Sequence, residues 1–132
     1  MRLTVLIADT AQIDASGKVH VLGLGWNQTT TPTPPMALVV MIVADAEESI
    51  GGEISLTGML LDENDEIAAF GDGDDRQGLA FHTSLTGVTK AGRGFAVLNI
   101  GPGVPLKPGR YTWQVQVDDT DIYERVPFEA IG

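Results

Sequence analysis

Cysteine is absent from the 132 residues. Its absence excludes a disulfide-stapled scaffold, a thiolate zinc site, an iron–sulfur cluster and a cysteine nucleophile. Positive charge is scarce: eight Lys+Arg against eighteen Asp+Glu give a formal net charge of −10. A surface of that sign repels phosphate backbones and anionic headgroups, so neither nucleic acid nor membrane is expected as a partner. Long hydrophobic runs are missing as well. The apolar run at residues 37–44 falls far below the roughly 20 residues of a spanning helix. The opening Met1-Arg2-Leu3-Thr4-Val5-Leu6-Ile7-Ala8-Asp9 is too short in its apolar part for a secretion signal. The expected address is therefore cytoplasmic, or a virion if the gene belongs to a phage. No window repeats apolar residues at i, i+3, i+4 and i+7 for long enough to make a helix.

What is present alternates. Tyr111, Trp113, Val115 and Val117 occupy one phase, and Thr112, Gln114 and Gln116 the other, the period-two pattern of a half-buried antiparallel strand. Ile54, Leu56, Gly58 and Leu60 alternate with Ser55, Thr57 and Met59, and Leu79, Phe81 and Leu85 with Ala80, His82, Ser84 and Thr86. Residues 3–7, 19–26, 37–44, 95–100 and 122–128 complete the candidate strands. Turn chemistry separates them: Asp14-Ala15-Ser16-Gly17-Lys18, Asp62-Glu63-Asn64-Asp65 and Lys107-Pro108-Gly109-Arg110, each rich in the residues that close tight reversals. Thr29-Thr30-Thr31-Pro32-Thr33-Pro34-Pro35 favours extended polyproline geometry and is expected to carry the chain from one sheet to the other. The expected fold is all-β: one domain over residues 1–132, a single antiparallel β-sandwich of about eight strands with little or no helix.

Few residues carry chemistry. His20 and His82 lie in strands, with no Gly-x-Ser-x-Gly elbow and no His-Glu-x-x-His motif around them, so no catalytic residue is assigned and the chain is not expected to be an enzyme. Gly23-x-Gly25 lacks the third glycine of a dinucleotide fingerprint and runs into Trp26 rather than a helix. Acidic residues cluster at Asp62–Glu66, at Asp118, Asp119 and Asp121, and in Asp72-Gly73-Asp74-Asp75. Oxygen-rich loops suit hard cations, and Asp72, Asp74 and Asp75 are the candidate calcium ligands, although their spacing is not that of an EF-hand. The alternative is that these acids make turns and keep the chain soluble; no other cofactor is expected. The most informative stretch is Ala37-Leu38-Val39-Val40-Met41-Ile42-Val43-Ala44. A strand apolar in both phases is covered on both faces or offers one of them to another chain. Val39, Met41 and Val43, together with Trp26, are the candidate interface residues, and burial beneath the proline-rich segment is the competing reading. Pro127 cannot donate to a ladder and marks the last strand as an edge.

Two segments resemble known proteins. Leu6-Ile7-Ala8-Asp9-Thr10-Ala11-Gln12, followed by Gly17-Lys18-Val19-His20-Val21-Leu22-Gly23-Leu24-Gly25-Trp26, resembles a family of small uncharacterised proteins from actinobacteria and their phages. Pro108-Gly109-Arg110-Tyr111-Thr112-Trp113, with Val126-Pro127-Phe128-Glu129-Ala130, resembles the last hairpin of immunoglobulin-like sandwiches. The resemblance implies a fold and no chemistry. The expected function is that of a non-catalytic structural or binding module acting through a protein–protein surface or by self-assembly, such as a virion decoration or accessory subunit. The alternative is a calcium-dependent carbohydrate or ligand reader built on the acidic loops and Trp26. That alternative predicts a rise in melting temperature in millimolar calcium, since a ligand bound only to the native state stabilises it. An unchanged melting curve removes it.

Overall fold

Alternation in the sequence becomes alternation across a pleat. The computed structural model describes residues 1–44, 53–70, 77–86 and 92–132, and these hold strands and turns without a helix. Among them no helix is long and apolar enough to cross a membrane. The strands are β1 (Arg2–Ala8), β2 (Thr10–Ile13), β3 (Val19–Leu22), β4 (Gln28–Thr30), β5 (Met36–Val43), β6 (Glu53–Leu61), β7 (Ala69–Phe70), β8 (Gln77–Gly78), β9 (Ala80–Thr86), β10 (Arg93–Ile100), β11 (Gly109–Val117) and β12 (Tyr123–Ile131). Eight of these coincide with the apolar runs read from sequence. The additional strands β2, β4, β7 and β8 are two to four residues long, too short to show a period of their own.

Two sheets hold the core between them. One has the order β1-β5-β10 and the other β4-β12-β11-β6-β9. Leu3, Val5, Ile7, Met36, Leu38, Val40, Ile42 and Ala96 from the first pack in one cluster with Ile54, Leu56, Leu60, Leu85, Trp113, Val115 and Phe128 from the second. The chain is thus an all-β sandwich. Pairing is antiparallel except between β12 and β4, which run parallel from Glu129↔Gln28 to Ile131↔Thr30. After β4 the proline-rich segment crosses to β5 in the opposite sheet, as expected, with Thr31–Pro32 in the cis form. Thr33 anchors that crossing: its N–H donates to the Val104 carbonyl at 3.1 Å, and its own carbonyl accepts from Gly103 at 2.7 Å. The Val104 N–H donates to the Thr33 hydroxyl. A threonine only 2 % exposed is tolerated because its polar groups are partnered.

Pro127 marks an edge only locally. It stands opposite Thr112 of β11, two residues before β4 begins to pair at Glu129. The last strand is therefore internal where β4 covers it and open at Pro127, where no ladder donor is needed. At the start of β11 the Tyr111 hydroxyl donates to the Lys107 carbonyl at 2.7 Å, pinning the turn that precedes the strand. Burial raises that phenol above its usual pKa, because desolvation disfavours the phenolate.

Trp113, fully buried, is the largest side chain in the core. The Phe81 ring tilts against it at 6.1 Å between centroids and lies over Gly58, its cross-strand partner on β6. A Cβ at Gly58 would overlap that ring. A glycine, normally weak in a strand, is here the space into which an aromatic ring packs. Gly58→Val is expected to lower stability by about 1–3 kcal/mol through overpacking, read as a lower urea midpoint with an unchanged m-value. No change in midpoint would show that the ring is free to move aside.

Candidate binding surface

β5 is apolar in both phases, so the packing of its second face determines what surface remains. Met36, Leu38, Val40 and Ile42 point into the core between the sheets. Ala37 and Val39 point outward, where they form a second cluster with Ala11, Val19, Val21 and Val97. This cover is the hairpin β2–β3, paired from Thr10↔Leu22 to Ile13↔Val19 and folded back over the three-stranded sheet. Val39, read from sequence as an interface residue, is consequently only 7 % exposed: the chain covers it with its own hairpin. The proline-rich segment, the competing cover, instead lies along the 103–106 loop.

The hairpin is held at three places. The Asp9 N–H donates to Leu22 O at 3.0 Å and the Gly25 N–H to Ile7 O at 2.7 Å, closing its base. Gly23 at that base has φ 67°, and a Cβ there would strike the Asp9 carboxylate. Across its middle, the Asn99 amide of β10 donates to the Ala11 carbonyl at 3.0 Å and accepts from the Ala11 N–H at 3.4 Å. At its tip Asp14 Oδ1 accepts from the Ser16 and Lys18 N–H groups and the Ser16 hydroxyl, while Oδ2 meets His20 Nε2 at 2.7 Å. The Ser16 hydroxyl is the main cause, with His20 next, that holds the Asp14 carboxyl well below the usual carboxylate range.

Below the hairpin the same outer face continues uncovered by it. Cross-strand register places Thr4, Met41 and Phe95 in one row and Arg2, Val43 and Arg93 in the next. Met41, Val43 and Phe95 are half-buried, and Leu6, one row up, is 40 % exposed. A depression of about 550 Å³ on this face is lined by Met41, Val43, Ile122 and Tyr123 together with Arg2, Arg93, Asp121 and Glu124. Of the four residues singled out for an interface, Met41 and Val43 thus share one partly open face.

Trp26 is placed elsewhere. Its ring meets Phe128 edge-on at 5.8 Å, Phe128 stacks on Tyr111 at 5.8 Å, and its indole N–H is buried with no acceptor among the described residues. It caps one end of the core and lines a separate depression with Leu24, Gly25 and Pro34.

The acidic residues that are described shape turns. Asp62 Oδ1 accepts from the N–H groups of Asn64 and Glu66, the same i+2 and i+4 pattern that Asp14 uses. Glu63 accepts from the Arg110 N–H at 3.3 Å, and Asp65 pairs with Arg125 at 3.4 Å, an exposed pair worth about 0–1 kcal/mol. Asp72, Asp74 and Asp75, the candidate calcium ligands, lie outside the described residues. Among the described residues no group of three or more His, Asp and Glu is placed to hold a metal ion.

His82 joins a chain that sequence did not reveal. Its Nδ1 lies 3.0 Å from the Thr57 hydroxyl, which donates to Asp118 Oδ1 at 2.6 Å. An ionised carboxylate only accepts, so the single hydroxyl proton goes to Asp118 and the imidazole N–H donates to Thr57. In that polarity the histidine does not draw the proton from the hydroxyl as a base paired with a nucleophile would. The three residues are far apart in sequence, and only strand register brings them together.

The chain matches the family of unknown function DUF6941 over residues 3–131 and belongs to it. No curated protein matches it significantly.

The hairpin cover generates a test. Asn99→Ala is expected to cost about 1–2 kcal/mol of local stability through its lost hydrogen bonds. It should raise amide exchange across residues 10–22 and leave the core strands protected. A pH series adds a second readout. Asp14 has a folded pKa below its unfolded one, so its stabilisation is present above about pH 4 and fades as pH falls towards the folded value. Exchange at Ser16 and Lys18 should rise in that acid window, and a flat profile would show that Asp14 does not hold the tip.

Proposed function

We propose that the chain is a non-catalytic binding module that acts through a protein–protein surface, the outer face of the β1-β5-β10 sheet below the hairpin. One observation carries this reading: the hairpin covers Ala37 and Val39 and leaves the adjoining rows of Met41, Phe95 and Val43 only half-buried. Apolar rows beside a finished cover, in a depression lined by charges of both signs, suit a protein partner with an apolar centre and a polar rim. In its concrete form the module is an accessory subunit of a larger particle, such as a phage virion. The likeness to immunoglobulin sandwiches is supported by β11 lying between β6 and β12 and by Tyr111 bonding back to Lys107, as a tyrosine corner does.

Photo-crosslinking in the native host tests the reading. Benzoylphenylalanine replaces Met41 in one variant and Gln114, on the polar face of the other sheet, in a second. Adducts of one defined mass are expected from position 41 and not from position 114. Adducts from both positions alike, or from neither, would overturn the assignment.

A further inference from the structure

Charge is segregated along this chain. Residues 76–117 contain no Asp or Glu and carry Arg76, Lys90, Arg93, Lys107 and Arg110, five of the eight cations. This acid-free segment includes β9 and β10, the strands that end the two sheets on the same side of the sandwich. On the opposite side β1 lies against β12, and β4 is followed at once by Pro32, Pro34 and Pro35, which blunt that edge. A chain of net charge −10 resists its own copies everywhere that acids face acids. Among the described residues, the strands β9 and β10 carry no acid.

β10 is the more receptive of the two edges. It is eight residues long, without proline or acid, and its one charge is Arg93 at the start. Among the described residues, β5 is its only partner in the sheet. The Ala44 N–H donates to the Gly92 carbonyl, and in an antiparallel ladder bonded pairs alternate. Gly94, Ala96 and Leu98 therefore bond inward to β5, and the N–H and C=O groups of Phe95, Val97 and Asn99 point out along the free edge. β9 displays His82 and Ser84 on its exposed face, polar groups that water satisfies.

We infer that a second copy of this chain pairs with the first along β10, antiparallel about a two-fold axis at Ala96. The inference deepens the binding-module reading and rests on it. The strand is complementary to itself in this register. Phe95 faces the partner's Val97 and Arg93 faces the partner's Asn99 on the outer side; aromatic–β-branched pairs stabilise sheets. Gly94 faces the partner's Leu98, and Ala96 meets its own copy on the inner side, where small side chains leave room. The two three-stranded sheets become one of six strands, in which each copy's Phe95–Met41 row abuts the Val97–Val39 row that the partner's hairpin covers.

The experiment is sedimentation of the full chain from micromolar to near-millimolar concentration, with residue-resolved amide exchange at both ends of the range. A mass rising to twice 14.0 kDa is expected, with protection gained at Phe95, Val97 and Asn99. Val97→Pro removes one outward N–H without touching the β5 ladder and is expected to stay monomeric with an unchanged far-ultraviolet spectrum. Should that variant not fold, exchange in the unsubstituted chain decides alone. A monomer throughout, or a dimer whose protection appears anywhere but those three amides, overturns the inference. Crosslinks separate this failure from failure of the wider reading: a monomeric chain whose Met41 position still captures one foreign protein keeps the binding surface and loses only the self-pairing.

Discussion

The need to bury both faces of β5 governs this molecule. A strand reading Met-Ala-Leu-Val-Val-Met-Ile-Val has no polar phase to offer water, and each exposed valine or leucine side chain forgoes about 1.5–3 kcal/mol of burial. The facing sheet covers one side. On the other side the chain spends residues 10–22 on a hairpin whose inner phase supplies Ala11, Val19 and Val21 against Ala37, Val39 and Val97. Alanines at positions 11 and 37 let the hairpin backbone approach closely, and Asn99 satisfies the backbone groups of Ala11 that this approach takes from water. The cover is shorter than the strand. What lies beyond its reach, from Met41 to Val43, is the surface assigned to binding.

The acidic residues serve two ends with the same chemistry. At Asp14 and Asp62 a carboxylate accepts backbone N–H groups two and four residues on, closing hairpins whose left-handed position is held by Gly17 in one and by Asp65 in the other. Collectively they give the chain its charge of −10, which keeps unrelated surfaces apart. Residues 76–117, which include β9, β10 and β11, contain no carboxylate.

Much of the architecture was legible. Period-two alternation identified three strands, each needing one buried face, and short apolar runs identified five more; the turns at 14–18 and 62–65 were readable because Asp and Gly act on their own neighbours. β2, with its four residues, escaped notice because Thr10 to Ile13 shows too little alternation to separate from a loop. The apolar excess of residues 37–44 points to a docked partner or to a cover by the proline-rich segment, adjacent in sequence; the hairpin that covers Ala37 and Val39 is adjacent only in space. His82, Thr57 and Asp118 show the same limit, since no local pattern links residues brought together by register alone.

Composition and local pattern by themselves determined the class of fold, the strand phases, the turn positions and the exclusion of cysteine chemistry, because each depends on a residue and its near neighbours. Tertiary structure alone decided which element sealed the outer face of β5 and where that seal stopped. It also decided that Trp26 caps the core rather than standing on an open surface, and that β12 lies inside its sheet whereas β10 ends its own. Those outcomes depend on pairings between strands dozens of residues apart. Their free energy is shared among many weak contacts, and no short window of sequence contains both partners.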